Sequence, residues 1–310
     1  MNPHPARIHA LSFDVEEHFQ VAAFWSEDRR RGWDQYESRV ERNVDKILSL
    51  LSRQGIHATF FVLGWVAFKH PKLVEAIAGA GHEIASHGFG HEMITSQQPG
   101  QFREDVRKSK QILESIIGKP IHGYRAPSFT ITPRTQWALP ILVEEGYLYD
   151  SSIFPVQHDR YGMPGANPWC HQIETASGPL WEVPPSTIQM GPVRLPIAGG
   201  GYFRLYPYPI LRGLLNRAAA QGHPLVMYLH PWELDPEQPR MAGSLLSRFR
   251  HYLNLGKTEA RLHQLVKDFR FAPLRQAVEA VGKACASKEA LQVDLSSGMR
   301  RCLVSESRNG

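Results

Sequence analysis

Ala58-Thr59-Phe60-Phe61-Val62-Leu63 is a continuous apolar, β-type run that lacks the alternation of a strand with one face in water. Such a run belongs to a strand buried on both faces, as in a parallel sheet covered by helices. Towards the N-terminus, Val40, Val44, Ile47, Leu48 and Leu51 recur on one helical face, and Ile8 to Val15 reads as a first strand that ends in Asp14-Val15-Glu16-Glu17. Towards the C-terminus the alternation continues. Pro71 opens a helix to about Ala80, Glu83 to Ser86 is the third strand, and a helix from about Phe102 to Ile117 stops at Gly118 with Pro120 just beyond. Ile121 to Tyr124 is a fourth strand; a helix opened by Pro133 runs to about Glu145; Tyr147 to Asp150 is a fifth strand. Ser151 to Gly178 breaks into proline, glycine and aromatic residues, a loop long enough to shape a binding site. Leu180 to Val183 resumes the strands, Gly199-Gly200-Gly201 marks a tight turn or close backbone approach, and Ile210, Leu211, Leu214, Leu215 and Ala218 repeat at helical spacing. Leu225 to Leu229 is the seventh strand, ending at His230, and helices follow near Glu259 to Asp268 and Pro273 to Ala286. Repeated strand-helix units imply a parallel sheet with helices outside, either a barrel or an open α/β sheet.

Bulk composition sets wide limits. The chain has 310 residues, 42% hydrophobic and 21% charged, which suits one large globular domain rather than two. The net charge of +5 is dispersed, with Arg29-Arg30-Arg31 the one run of note, and no nucleic-acid-binding signature appears, so nucleic acid is not an expected partner. Cys170, Cys285 and Cys302 are odd in number and far apart, which suggests reduced thiols rather than a disulfide framework. The N-terminal residues lack the pattern of a secretion signal, and the longest apolar stretch, Ala58 to Phe68, is too short to span a bilayer. The expected location is therefore the cytoplasm, with membrane association left open and no transmembrane segment. Oligomeric state is not legible.

The chemically capable residues gather after strand ends. Asp14 and Glu16 follow strand one, His87 and His91 strand three, Arg125 strand four and His230 strand seven. In barrels and open sheets alike, the carboxyl ends of parallel strands converge on one pocket. Two neutral imidazoles four apart can share a divalent ion, and a His-His-carboxylate set leaves positions open for water and substrate. Glu16 is the expected carboxylate ligand, because strand alternation points Asp14 and Glu16 to one face and Val15 and Glu17 to the other. Asp14 is the natural base, Arg125 a bidentate partner that orients it, and His230 the natural acid for a leaving amine. Phe129, Trp169, Trp181, Tyr202 and Trp232 are candidates for a platform under a sugar ring. No Gly-x-Ser-x-Gly elbow, phosphate-binding loop or dinucleotide fingerprint occurs.

Six motifs in order, Ser12-Phe-Asp14-Val-Glu16-Glu17, Ala58 to Gly64, Gly81 to His91, Tyr124-Arg125-Ala-Pro-Ser-Phe129, Tyr149-Asp-Ser-Ser152 and Leu229-His230, resemble the polysaccharide deacetylases with a NodB-homology domain, carbohydrate esterase family 4. The resemblance implies a distorted (β/α)7 barrel over residues 1–235 with a C-terminal helical extension over 236–286; residues 287–310, polar and unpatterned, read as a disordered tail. It also implies metal-dependent removal of acetyl groups from N-acetylated sugars. Asp14 then matches the general base, His87 and His91 metal ligands, Arg125 the base-orienting arginine and His230 the general acid. The cofactor implied is a divalent metal, zinc first among candidates. The usual motif has two adjacent aspartates, whereas Val15 stands in the second place, so Glu16 takes the ligand role as in a subset whose acids are two apart. Phe129 falls one position later than usual, a departure from the arginine motif; the resemblance carries the oxyanion-stabilising amide over to Ser128, and Ser128, Phe129 and Trp232 are the expected substrate contacts. The stretch from Leu229 to Arg240 resembles the subfamily beside exopolysaccharide and exosortase (PEP-CTERM) loci, which implies an N-acetylhexosamine in an exopolysaccharide, a cell-surface glycan or a lipid-linked oligosaccharide precursor. Two alternatives stay open: a metal-independent, allantoinase-like hydrolase of cyclic amides, and an inactive glycan-binding protein.

Overall fold

The computed structural model describes residues 8–24, 26–158 and 161–283. The expected tail over 287–310, Cys285, Cys302 and the end of the helix expected from Pro273 lie outside these residues.

Seven strands run parallel: β1 (Ile8–Val15), β2 (Thr59–Val62), β3 (Glu83–Ser86), β4 (Gly123–Tyr124) and β5 (Tyr149–Asp150), then, beyond β6 (His171–Thr175), β7 (Gly178–Glu182) and, beyond the hairpin of β8 (Thr187–Met190) and β9 (Val193–Pro196), β10 (Val226–Leu229). Their order is β10-β1-β2-β3-β4-β5-β7, with β6 antiparallel on β7. Between β7 and β10 the wall is closed by Ser186, whose backbone N–H donates to the Val226 carbonyl at 3.1 Å while its hydroxyl accepts from the Val226 N–H at 2.7 Å. This is the expected distorted (β/α)7 barrel, closed at one seam by a side chain rather than a ladder. A short β11 (Arg270–Ala272) pairs with the start of β1 on the edge opposite β10.

The strands alternate as a barrel wall must. Leu11, Phe13 and Val15 join the large core under the helices. Ala10 points the other way, into a smaller cluster with Phe61, Ala85, Tyr149, Val183 and Val226 that fills the interior, and Leu274 closes its lower end. Ser12, Asp14 and Glu16 continue the Ala10 side towards the mouth, so strand alternation alone carries the acids to the carboxyl rim.

Among the described residues, helices surround the wall: α1 (Glu27–Arg31), α2 (Val40–Gln54), α3 (Gly64–Lys69), α4 (Pro71–Gly79), α5 (Pro99–Ile117), α6 (Ala138–Glu144), α7 (Gly200–Leu205), α8 (Tyr208–Ala219), α9 (Leu245–Tyr252) and α10 (Leu255–Asp268), with a further helical stretch from residue 274. A Gln98–Gln101 capping box starts α5 and left-handed Gly118 ends it. The helix expected from Pro133 begins only at Ala138. The Thr135 hydroxyl, donating to the Thr130 carbonyl and accepting from the Thr132 N–H, ties the preceding residues into turns that compete with helix. Part of the expected loop from Ser151 to Gly178 forms β6, and α9, β11 and the β8–β9 hairpin were not anticipated. Among the described residues no helix is long and apolar enough to cross a membrane.

The triple glycine is a close approach. A Cβ on Gly199 would lie 1.2 Å from the carbonyl oxygen of Tyr228 in β10, two residues before His230. Gly199→Ala should therefore displace β10 and destabilise the fold by about 3 kcal/mol or more. Urea denaturation checks this; an unchanged midpoint would contradict the packing of the turn on β10.

Candidate metal centre and catalytic groups

Arg125, directly after β4, is fully buried at the upper end of the barrel interior. Its guanidinium stacks 4.1 Å above the Phe61 ring and donates to Asp14 Oδ1 at 2.6 Å, Ser12 Oγ at 2.9 Å, Ser151 Oγ at 2.9 Å and the Ser151 carbonyl at 3.2 Å. Asp14 is thus held by one oxygen and keeps the other, Oδ2, for the pocket, 3.8 Å from His230 Nε2. The expected pairing of Arg125 with Asp14 is present, with one guanidinium nitrogen on the carboxylate rather than two.

Glu16, His87 and His91 are buried, and one ligand atom from each lies within 4.8 Å of the others. His87 Nδ1 is 2.8 Å from the Arg125 carbonyl, an acceptor only, so Nδ1 carries the proton and the Nε2 lone pair is left for the centre. Burial lowers the His87 pKa to about 4, which keeps the ring neutral at pH 7. Glu16 Oε1 accepts from the Trp232 indole at 3.0 Å. Its other oxygen, Oε2, is 2.5 Å from His91 Nε2 yet has no aligned hydrogen-bond donor, and His91 Nδ1 has no hydrogen-bond partner either. Although burial opposes the charge on Glu16, His91, His230 and His87 hold its carboxyl below the usual range. The neutral His87 ring, the His91 ring and a carboxylate oxygen with no aligned donor, brought together away from water, suit a divalent cation. The residues fit a His-His-Glu metal site.

Local backbone shapes the cluster. His91 adopts a left-handed conformation, φ 49°, uncommon for a side-chain-bearing residue. The loop between the histidines is held by Asp105 of α5, which accepts from the N–H groups of Phe89 at 2.8 Å and Gly90 at 3.1 Å. After Arg125, Ser128 and Phe129 both have φ 54°, a double left-handed turn that absorbs the extra residue before the aromatic. The Phe129 amide donates back to the Ala126 carbonyl at 3.0 Å.

His230 forms the opposite wall. Its Nδ1 is 2.5 Å from Glu233 Oε1, and Glu233 is in turn paired with buried Arg204 at 3.1 Å. Burial works against protonation, but the Glu233 carboxylate, with help from Glu16 and Asp14, raises the His230 pKa to about 9. Glu233 and Arg204 went unrecognised in the sequence. The signal was present as Pro231 opening a turn with a carboxylate three residues after the histidine.

A cavity of about 220 Å³ joins these groups and is lined by Asp14, Glu16, His87, His91 and His230, with Ser128, Phe129 and Trp232 also at its wall. Trp232 does not present a free face: His230 stacks at 5.1 Å and His251 at 4.2 Å. Trp169 stacks on His223 and Trp181 packs with the interior cluster, so neither lines this cavity, while Tyr202 lines a neighbouring groove. Glu17 points away as expected, to a buried position where its carboxylate accepts from the Arg39 and Val40 N–H groups and anchors the start of α2.

The family model described as polysaccharide deacetylase matches residues 31–141, and one described as a domain of unknown function, DUF3473, matches residues 151–279. A peptidoglycan deacetylase-like protein of Gibberella zeae is 31% identical over 156 residues, 49% of this chain and 45% of that protein. A peptidoglycan deacetylase of Helicobacter pylori is 26% identical over 129 residues, 42% of this chain and 43% of that protein. The chain thus spans less than half the length of these relatives. A Mycobacterium smegmatis crystal structure, whose own assignment as a polysaccharide deacetylase is provisional, superposes with TM-score 0.61 at 22% identity over 92% of this chain and 93% of that one, which shows the shared fold. These matches support the polysaccharide deacetylase (NodB, carbohydrate esterase family 4) family; they do not single out the exopolysaccharide subfamily.

His230 is protonated below about pH 9 and neutral above it. In metal-free protein its ring proton resonances should titrate near that value, and Glu233→Gln, which leaves the ring buried but removes the adjacent charge, should move the midpoint down by more than one pH unit. An unmoved midpoint would remove Glu233 as the cause.

Proposed function

We propose that this chain is a metal-dependent deacetylase that hydrolyses the acetamide of N-acetylhexosamine units in a bacterial exopolysaccharide, a cell-surface glycan or its lipid-linked precursor, working from the cytoplasmic side. The observation that carries this reading is the convergence of Glu16, His87 and His91, with a Glu16 oxygen lacking a donor, beside an arginine-held carboxylate and a carboxylate-held imidazole.

When bound, a divalent ion, zinc by the donor set, lowers the pKa of a coordinated water and polarises the acetamide oxygen. Asp14 Oδ2 accepts the proton lost by the water that adds to the carbonyl carbon; Arg125 keeps that carboxylate aimed at the cavity. The Ser128 amide is the candidate donor to the developing oxyanion, because the Phe129 amide is engaged within the turn. His230 Nε2, 3.8 Å from Asp14 and 3.9 Å from Glu16, gives its proton to nitrogen as the C–N bond breaks, releasing acetate and the free amine. Trp232 orients Glu16 through its indole N–H, and Glu233 fixes the His230 ring so that Nε2 faces the cavity.

Elemental analysis of purified protein should find a near-stoichiometric divalent metal, and Glu16→Ala and His87→Ala should each lose it. Asp14→Asn and His230→Ala should each lower acetate release from N-acetylated oligosaccharides by about 100-fold or more while metal content is kept. Undiminished turnover after exhaustive chelation would replace this reading with the metal-independent cyclic-amide hydrolase.

A further inference from the structure

Helix α9 turns its apolar side chains outward. Leu245 is 83% exposed, Phe249 60% and Leu246 56%, while Ser247 and His251 face the protein. The reverse arrangement is expected of a helix that packs through its apolar stripe. The helix is nevertheless firmly held: Ser244 caps it through the Ser247 N–H, His251 Nε2 meets Gln238 Oε1 at 2.8 Å, and the Tyr252 hydroxyl accepts from the Met241 N–H at 2.6 Å. Leu246 and Phe249 join Leu205 of α7, itself 49% exposed, along a groove of about 490 Å³. Tyr161, Gly201, Tyr228 and Arg250 line both this groove and the cavity beside the metal ligands, so the two are continuous. An exposed apolar surface opening into a reaction site marks a docking surface.

Charge indicates what docks there. From residue 238 to 258 the chain carries Arg240, Arg248, Arg250 and Lys257 and no aspartate or glutamate. All four cations are exposed around α9. Leucine and phenylalanine on the outer side of a helix flanked by arginines is the composition of an interfacial helix, whose apolar side chains enter the acyl region while the cations meet headgroup phosphates. A second copy of the chain fits poorly, since pairing through α9 would bring the two basic rims together with no acid between 238 and 258 to offset them.

We propose that α9 and the adjoining groove dock the protein on a bilayer surface that carries anionic lipids, with Leu245, Leu246 and Phe249 inserted. The docking rests on the outward apolar face and the basic rim alone. Its consequence, that the cavity receives a glycan tethered to or lying against the membrane, also rests on the deacetylase reading.

Co-sedimentation of the full-length, metal-loaded protein with phosphatidylcholine vesicles, with and without phosphatidylglycerol, is the test. Binding to the anionic vesicles should be about tenfold tighter or more, should weaken as salt is raised, and should fall by about tenfold in Leu245→Ser/Phe249→Ser and in Arg248→Gln/Lys257→Gln. Thermal unfolding of each variant, expected to match the parent because these side chains are exposed, separates lost docking from lost fold. Failure of the parent to sediment with anionic vesicles overturns the proposal, as does retained binding in folded variants. Self-association abolished by Leu245→Ser/Phe249→Ser, in place of vesicle binding, would assign the face to a second copy and equally overturn it. Acetate release from a water-soluble oligosaccharide is read separately, so vesicle binding without turnover would sink only the deacetylase reading, and turnover without vesicle binding only the docking.

Discussion

A guanidinium withdrawn from water is costly unless a carboxylate and enough acceptors surround it, and Arg125 imposes that condition on the whole upper barrel. Its partners come from β1, through Ser12 and Asp14, and from Ser151 just after β5, while Phe61 of β2 supplies the surface beneath it. Four strands of the wall, β1, β2, β4 and β5, are therefore drawn to one point. Removing one member of such a buried pair typically costs about 3–5 kcal/mol because the other charge is stranded. The same bonds fix which oxygen of Asp14 faces the cavity and place the Arg125 carbonyl against His87. The proposed base, Asp14, and one proposed metal ligand, His87, are thus oriented by a single residue.

A second buried arrangement supports the turn that brings Ser128 and Phe129 to the cavity wall. Asp150 and Glu182 are register partners on β5 and β7, both without exposure. Burial and then the neighbouring Asp150 raise the Glu182 carboxyl well above its ordinary range, so the pair holds a proton rather than two bare charges. Asp150 accepts from the Ser152 hydroxyl, and Ser152 accepts from the Ala126 N–H at 2.7 Å. That places the start of the turn in which Ser128 and Phe129 adopt left-handed conformations. The cost of the double left-handed turn is offset by a network in the wall behind it.

Much of this was legible because it follows from periodicity. The β1, β3 and β10 ends, the convergence of Asp14, Glu16, His87, His91, Arg125 and His230, and the close approach at Gly199 are consequences of strand alternation, parallel topology and the lack of a Cβ. Other features depend on partners distant in sequence, and no local pattern reports them. Trp232 looked like a sugar platform until both ring faces proved to be covered by histidines and its N–H committed to Glu16, 216 positions away. Arg204 carried no sequence signal at all, yet it is buried against Glu233. Helix α9 escaped notice for the opposite reason: its leucines face outward, so no buried stripe announces it.

The spacing of the two acids on β1 follows from the barrel wall itself. Val15 is fully buried on the outer side of the strand, in the core beneath the helices. An aspartate there, adjacent to Asp14, would place an unpaired charge among apolar side chains unless the strand left its regular course one residue earlier. With the acid at position 16, β1 stays regular through Val15 and its ladder to β2 runs to the Val15–Val62 pair. The carboxylate then emerges on the same side as Asp14, and the longer side chain of glutamate reaches His91 across the mouth. Its extra torsional freedom is removed by the Trp232 indole, which holds one oxygen and leaves the other for the centre. On the proposed reading, a valine and a glutamate held by a tryptophan after the last strand take the place of two adjacent aspartates.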